Sequence, residues 1–166
     1  KEMLYPGSRF RMAEDLLETY LRQLIEAHGS APEVTIAWQG GEPTLMGVDF
    51  FRRSVELVER YLQPGQRAEH TIQTNGTLID REWAEFYATN GVLVGLSIDG
   101  PRELHDVYRV DKGGKGSFDR VMRGLAFLQE AGAEWNALTT VHAANGDRGR
   151  EVYRFLRDEC DARFVQ

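Results

Sequence analysis

With 166 residues, 42% of them hydrophobic and 28% charged, the chain has the size and composition of one soluble globular domain with a sizeable core. A net charge of −6 with scattered Lys and Arg argues against a nucleic-acid partner, and no apolar run is long enough to span a membrane. The single cysteine, Cys160, excludes a disulfide framework and a cysteine-based metal cluster within the chain. No signal-peptide pattern is visible, so a cytoplasmic setting is expected.

Residues 1–9, with Pro6-Gly7-Ser8, read as a loop. The spacing of Met12, Leu16, Leu17, Tyr20, Leu21, Leu24 and Ile25 predicts a helix over 12–27, stopped by His28-Gly29-Ser30-Ala31-Pro32. An apolar strand is expected at 34–38, then a Gly-Gly turn, then a helix over 49–62 capped by Asp49 and ended by Gln63-Pro64-Gly65. Residues 69–74 read as the next strand. Asn75-Gly76 after it carries a hairpin signal, but a helix over 80–90, capped by Asp80 and built on Trp83, Phe86 and Tyr87, argues for a strand-to-helix turn instead. Residues 92–98 have the Val, Leu and Ile content of a strand buried on both faces. A polar loop over 102–116 leads to a helix capped by Ser117, with Val121, Met122, Leu125 and Leu128 on its buried face and Gly132 at its end. A strand over 135–141, a helix over 149–158 and a final strand from 163 complete the order.

One helix, four strand–helix units and a last strand predict an α/β fold with a parallel sheet, either open and doubly wound or part of a barrel. In such a sheet the carboxyl ends of the strands share one rim, where ligands bind. Those ends are Gln39-Gly40-Gly41-Glu42, Gln73-Thr74-Asn75-Gly76, Ser97-Ile98-Asp99-Gly100 and Thr139-Thr140-Val141-His142. They supply neutral donors and acceptors with two carboxylates, a set suited to a polar ligand with hydroxyls and a positive charge, such as a nucleoside with an amino-acid tail. The adjacent glycines permit a positive-φ turn and close approach to the main chain, Glu42 places a carboxylate there, and Pro43 stiffens the exit. Neither a Walker loop nor G-x-G-x-x-G is present. Gly113-Gly114-Lys115-Gly116 follows a loop rather than a strand and reads as a flexible lid or turn. His28, His70, His105 and His142 lack metal-ligand spacing and read as surface or satisfied histidines. Cys160 reads as a buried, neutral thiol.

These residues carry a resemblance. Gln39-Gly40-Gly41-Glu42-Pro43 after a strand resembles the Gly-Gly-Glu-Pro motif of radical S-adenosylmethionine (SAM) enzymes. Ile72 to Thr77, Leu96 to Pro101, His105-Asp106 with Arg109, and Gly116-Ser117-Phe118 resemble later segments of that family in register. The similarity is greatest to anaerobic sulfatase-maturating enzymes, of the SPASM-type branch that modifies peptides. The resemblance implies a partial (β/α)₆ barrel. It also implies SAM cleavage at a [4Fe–4S] cluster to a 5′-deoxyadenosyl radical, and oxidation of a sulfatase Cys or Ser side chain to formylglycine. By the same resemblance Gly40, Gly41, Glu42, Pro43, Ser97 and Arg109 would hold SAM, with Gly40 to Glu42 at its ammonium and Arg109 facing its carboxylate. Gln39, Gln73 and Asn75 would line the substrate cavity.

The family's Cys-x-x-x-Cys-x-x-Cys loop precedes the first helix, and no such motif stands there in this chain. The expectation is therefore a single-domain piece, residues 1–166, running from the family's second strand to the start of its sixth. Such a piece would be inactive alone. No catalytic residue and no metal ligand is assigned within it. The partner expected is a sulfatase or another peptide, with neither nucleic acid nor membrane, and self-association is expected through the exposed sheet edge. The alternatives are another SPASM-type peptide maturase, or an unrelated α/β protein binding a sugar or nucleotide.

Overall fold

The structure, a computed structural model, describes residues 11–166; the loop expected over 1–9 lies outside them. Four strands, β1 (Glu33–Trp38), β2 (Arg67–Thr74), β3 (Leu93–Ser97) and β4 (Trp135–Leu138), form one sheet in the order β1-β2-β3-β4. All three pairings are parallel, with Trp38 opposite Ile72, Thr74 opposite Leu96 and Ser97 opposite Leu138. Beyond β4, Ala137 bridges Val165 in parallel, so the expected last strand begins there. Among the described residues the strand order never reverses. A doubly wound sheet needs a reversal, so this is the arrangement of a barrel segment.

The helices are α1 (Glu14–His28), α2 (Val48–Tyr61), α3 (Arg81–Thr89), α4 (Arg102–His105), α5 (Phe118–Ala131) and α6 (Gly149–Arg154). Strand alternation separates the two faces of the sheet. Val34, Ile36, Ile72, Val94, Leu96 and Ala137 are buried and share apolar clusters with helix residues Leu21, Leu57, Trp83, Leu125 and Leu156. Each fully buried side chain of this size contributes about 1.5–3 kcal/mol of transfer free energy. A run of edge-to-face rings, Tyr20–Trp38–Phe51–Trp83, links α1, β1, α2 and α3. On the opposite face Thr35, Ala37 and Gln73 are exposed, and Thr71, Ser97 and Asn136 are half-buried.

Several boundaries differ from the sequence expectations for local reasons. Met12 packs on the core but precedes α1. A 3₁₀ turn, Pro43–Met46, runs directly into α2, so Gly47 rather than Asp49 occupies the cap position and Asp49 pairs with Arg52 instead. Asp80 caps α3 as expected, accepting the Trp83 N–H at 3.1 Å. Ser117 stands at the N-cap of α5 as expected, but its side chain makes no capping bond: its hydroxyl donates to the Arg109 carbonyl, while Asp106 accepts the Phe118 N–H. The expected loop over 102–116 contains α4 and a small antiparallel turn, Val110 opposite Gly116, closed around the Asp111 carboxylate. The expected helix over 149–158 widens after α6 into a π-turn, Phe155–Glu159, that buries both Phe155 and Leu156.

The Asn75-Gly76 turn is fixed from below by α5. A Cβ at Gly124 would stand 2.6 Å from the Gly76 carbonyl oxygen. Gly124→Ala must therefore push the helix away from this turn, and we expect a loss of about 1–3 kcal/mol in urea unfolding. Unchanged stability would show that the contact is loose.

Candidate functional site

Glu42 sits where β1 ends, and its carboxylate is occupied by the protein itself. Oε1 accepts the Thr44 N–H at 3.1 Å and the hydroxyls of Thr44 and Thr74, both at 2.6 Å. Oε2 accepts the Asn75 N–H at 2.8 Å. A carboxylate offers about four lone-pair positions, so the capacity left for a ligand lies on Oε2. Thr74 in turn accepts the Gly76 N–H, and Asn75 Oδ1 accepts the N–H and hydroxyl of Thr77. The ends of β1 and β2 are thereby locked together.

Gly40 and Gly41 have φ of 88° and 59°, and the space where a Cβ would project holds no atom within 4 Å. Backbone conformation, not crowding, requires glycine here, and the surface of the turn is open. Both residues are exposed, while Pro43 is buried. Glu42, Asn75, Thr77, Tyr108, Arg109 and Ser117 line one cleft of about 520 Å³, a volume in the range of small-molecule sites. Gln39, Gly40, Gly41, Pro43, Gln73 and Ser97 do not line that cleft; the glycine turn stands at its edge, next to Glu42. Gln73 and Ser97 lie on the sheet face away from the helices, and Gln39 continues the same face one residue beyond the paired Trp38 and Ile72.

Across the cleft, Arg109 forms a two-point ion pair with Asp99, whose side chain is 3% exposed. Sequence reasoning placed Asp99 on the rim but missed that it is the anchor of Arg109. It also missed Thr44 and Thr74, which hold Glu42, and Asn145, which bonds the carbonyls of Asp99 and Thr140. No spacing in the chain signals these contacts; only threonines and an asparagine beside the strand ends hint at them.

His105 is a satisfied histidine, as expected. Its Nδ1 accepts the Asp99 N–H at 3.3 Å, and its Nε2 donates to Ser117 Oγ at 3.0 Å. These partners fix the neutral tautomer. Burial, aided by the Arg109 charge, pushes its pKa down. Burial lowers His70 as well. His142 Nδ1 accepts the Ala144 N–H, leaving the Nε2 proton buried without a partner, 3.9 Å from Asp99 Oδ2. Burial pushes the Cys160 thiol up to about 12. Among the described residues no group of three or more His, Cys, Asp or Glu side chains is arranged to hold a metal ion, so these residues do not fit an iron–sulfur cluster. The exposed glycine turn, the remaining Glu42 acceptor and the Arg109 guanidinium do fit a zwitterionic organic ligand. Among the described residues no helix is long and apolar enough to cross a membrane.

Comparison with known families places this parallel sheet and its Gly-Gly-Glu-Pro turn in context. The chain belongs to the radical SAM superfamily, whose model matches residues 5–156. That membership removes the alternative of an unrelated sugar- or nucleotide-binding protein. Over 155 residues it is 40% identical to a serine-type anaerobic sulfatase-maturating enzyme of Bacteroides thetaiotaomicron, covering 93% of this chain and 37% of that protein. It is 39% identical to a cysteine-type anaerobic sulfatase-maturating enzyme of Clostridium novyi, again over 93% of this chain and 41% of the other. A solved structure of native anSMEcpe with bound AdoMet and Kp18Cys peptide superposes with a TM-score of 0.90 at 33% identity, covering 99% of this chain and 45% of that one. The chain thus spans about two fifths of the length of these relatives.

The neutral histidines make stability depend on pH. The unfolded His70 and His105 titrate near the usual value of about 6.5, and the folded ones lower. Between those values the unfolded chain binds more protons, so stability present above about pH 6.5 is lost as pH falls through that window. Melting temperature should drop between about pH 7 and pH 5, and His105→Gln should flatten part of the slope. An equal slope in the variant would show that His105 is not kept neutral by the fold.

Proposed function

We propose that this chain is the SAM-binding part of a radical SAM enzyme that oxidises a Cys or Ser side chain of a sulfatase to formylglycine, in a cytoplasmic setting. The observation that carries this reading is the placement of the Glu42 carboxylate and the Arg109 guanidinium on one cleft. They present an acceptor to the ammonium and a donor to the carboxylate of an amino-acid tail. The sulfatase-maturating relatives, of serine and of cysteine type, support the substrate class.

In this reading the carbonyls of Gly40 and Gly41, with Oε2 of Glu42, accept the ligand's ammonium. Arg109 donates to its carboxylate, Ser97 bonds the ribose or the methionyl part, and Pro43 keeps the turn from rearranging. A peptide would approach over the sheet face that carries Gln39 and Gln73, reaching Asn75 at the edge of the cleft. Held by these residues, SAM would supply hydrogen-atom abstraction at the substrate side chain, given an electron from a cluster outside the described residues. The thiolates that would hold a [4Fe–4S] cluster are not among the described residues, and residues 1–166 are expected to form one domain, inactive by itself.

A charge-assisted hydrogen bond contributes about 1.5–3 kcal/mol and a neutral one about 1. Ordering the ligand costs several kcal/mol, so this chain should bind SAM with a Kd near or above ~1 mM. Titration followed by NMR should move the amides of Gly40, Gly41, Asn75 and Ser97. Shifts confined to other regions, or none, would overturn the reading. Glu42→Gln should weaken the binding, and part of that effect is structural, because a side-chain amide would point N–H groups at the donors that Glu42 now accepts.

Self-association belongs to the same reading. β1 ends the strand order, and among the described residues no strand pairs with its outer edge. Such an edge is a template for another strand. Light scattering should show the mass rising with concentration; a monomer throughout, with fast hydrogen exchange along Glu33–Trp38, would count against it.

A further inference from the structure

The Arg109 guanidinium is held from behind. Nε donates to Asp99 Oδ2 at 2.6 Å and Nη2 to Oδ1 at 2.9 Å, a two-point contact that fixes the plane of the group. Nη2 also reaches Thr140 Oγ1 at 3.3 Å. Among the described residues Nη1 has no partner, and Arg109 lines the cleft with 24% of its side chain exposed. Asp99 cannot swing. Its Oδ1 accepts the Thr140 N–H at 2.9 Å, its carbonyl accepts Asn145 Nδ2 at 3.1 Å, and its N–H is taken by His105. The same histidine holds Ser117, whose hydroxyl donates to the Arg109 carbonyl at 2.8 Å. Carboxylate and guanidinium are therefore tied into one network at both backbone and side chain. His142 Nε2, at 3.9 Å, is too far from Asp99 to compete as a donor.

We propose that Asp99 is a positioning residue that acts through Arg109, turning the Nη1 protons into the cleft as a fixed donor for the carboxylate of an amino-acid-tailed ligand. The proposal rests on the reading of this cleft as the SAM site. Asp99 offsets most of the Arg109 charge, so what the pair offers an anion is direction rather than net attraction. A carboxylate that meets Nη1 finds a donor already oriented. A guanidinium released from Asp99 keeps its charge and loses that orientation.

The test compares SAM with its decarboxylated analogue by NMR titration of this chain, in the parent, Asp99→Asn, Arg109→Ala and the double variant. The parent should prefer SAM by a factor on the order of ten, the worth of one charge-assisted bond. Asp99→Asn should reduce that preference to the Arg109→Ala level, and the double variant should go no lower. A purely structural role for Asp99 would weaken both ligands equally and leave their ratio unchanged. Arg109→Lys, which leaves the buried carboxylate in place, is the control should Asp99→Asn unfold: it keeps the charge but lacks the planar fork, and the preference should vanish. A preference that survives Asp99→Asn or Arg109→Lys, or that falls further in the double variant than in Arg109→Ala, overturns this inference alone. Absence of any shift at Gly40, Gly41 and Ser97 overturns the SAM reading and this inference with it.

Discussion

One carboxylate joins two strand ends. Glu42 leaves β1 and accepts hydrogen bonds from Thr74 and Asn75 at the end of β2, while Thr44 closes the turn behind it. Bonds to a charged acceptor are about twice as strong as neutral ones, and four of them on one side chain remove its rotational freedom. The exposed glycine turn is consequently part of a braced corner rather than a free loop. A ligand carbonyl or ammonium meets a main chain that has already given up its conformational entropy.

The second constraint is topological. Because every strand is parallel and each pairs with the next in the chain, all carboxyl ends fall on one rim without any reversal. The helices cover one sheet face, and the polar residues Gln39, Gln73 and Ser97 fall on the other. The cleft and this polar face are neighbouring regions with different chemistry. The cleft carries opposed charges at Glu42 and Arg109, and the sheet face carries amides and hydroxyls.

The strand–helix order, the parallel sheet and the Gly-Gly-Glu-Pro turn were legible because period and punctuation encode them locally. Asp80 capped its helix as read, and Asn75-Gly76 proved a strand-to-helix turn, since the Trp83, Phe86 and Tyr87 pattern outweighed the dipeptide. The misses share a cause. Asp49 and Ser117 have the right residue type for a cap, yet Gly47 holds the cap position of α2, and at α5 Ser117 holds the position while Asp106, from a packed loop, accepts the N–H. The Asp99–Arg109 pair spans ten positions with a helical turn between, and the Thr74–Glu42 bond spans 32. Contacts of that range are set by tertiary approach, and no short window of sequence contains them.

Cys160 closes the core where the π-turn ends, with its thiol raised to about 12 by burial. Burial disfavours the thiolate, which is the form that binds iron or exchanges with disulfides. The chain's one sulfhydryl is thus held protonated inside the core. At 0% exposure, Cys160 is withheld both from metal assembly nearby and from intermolecular disulfide exchange as long as the core stays closed.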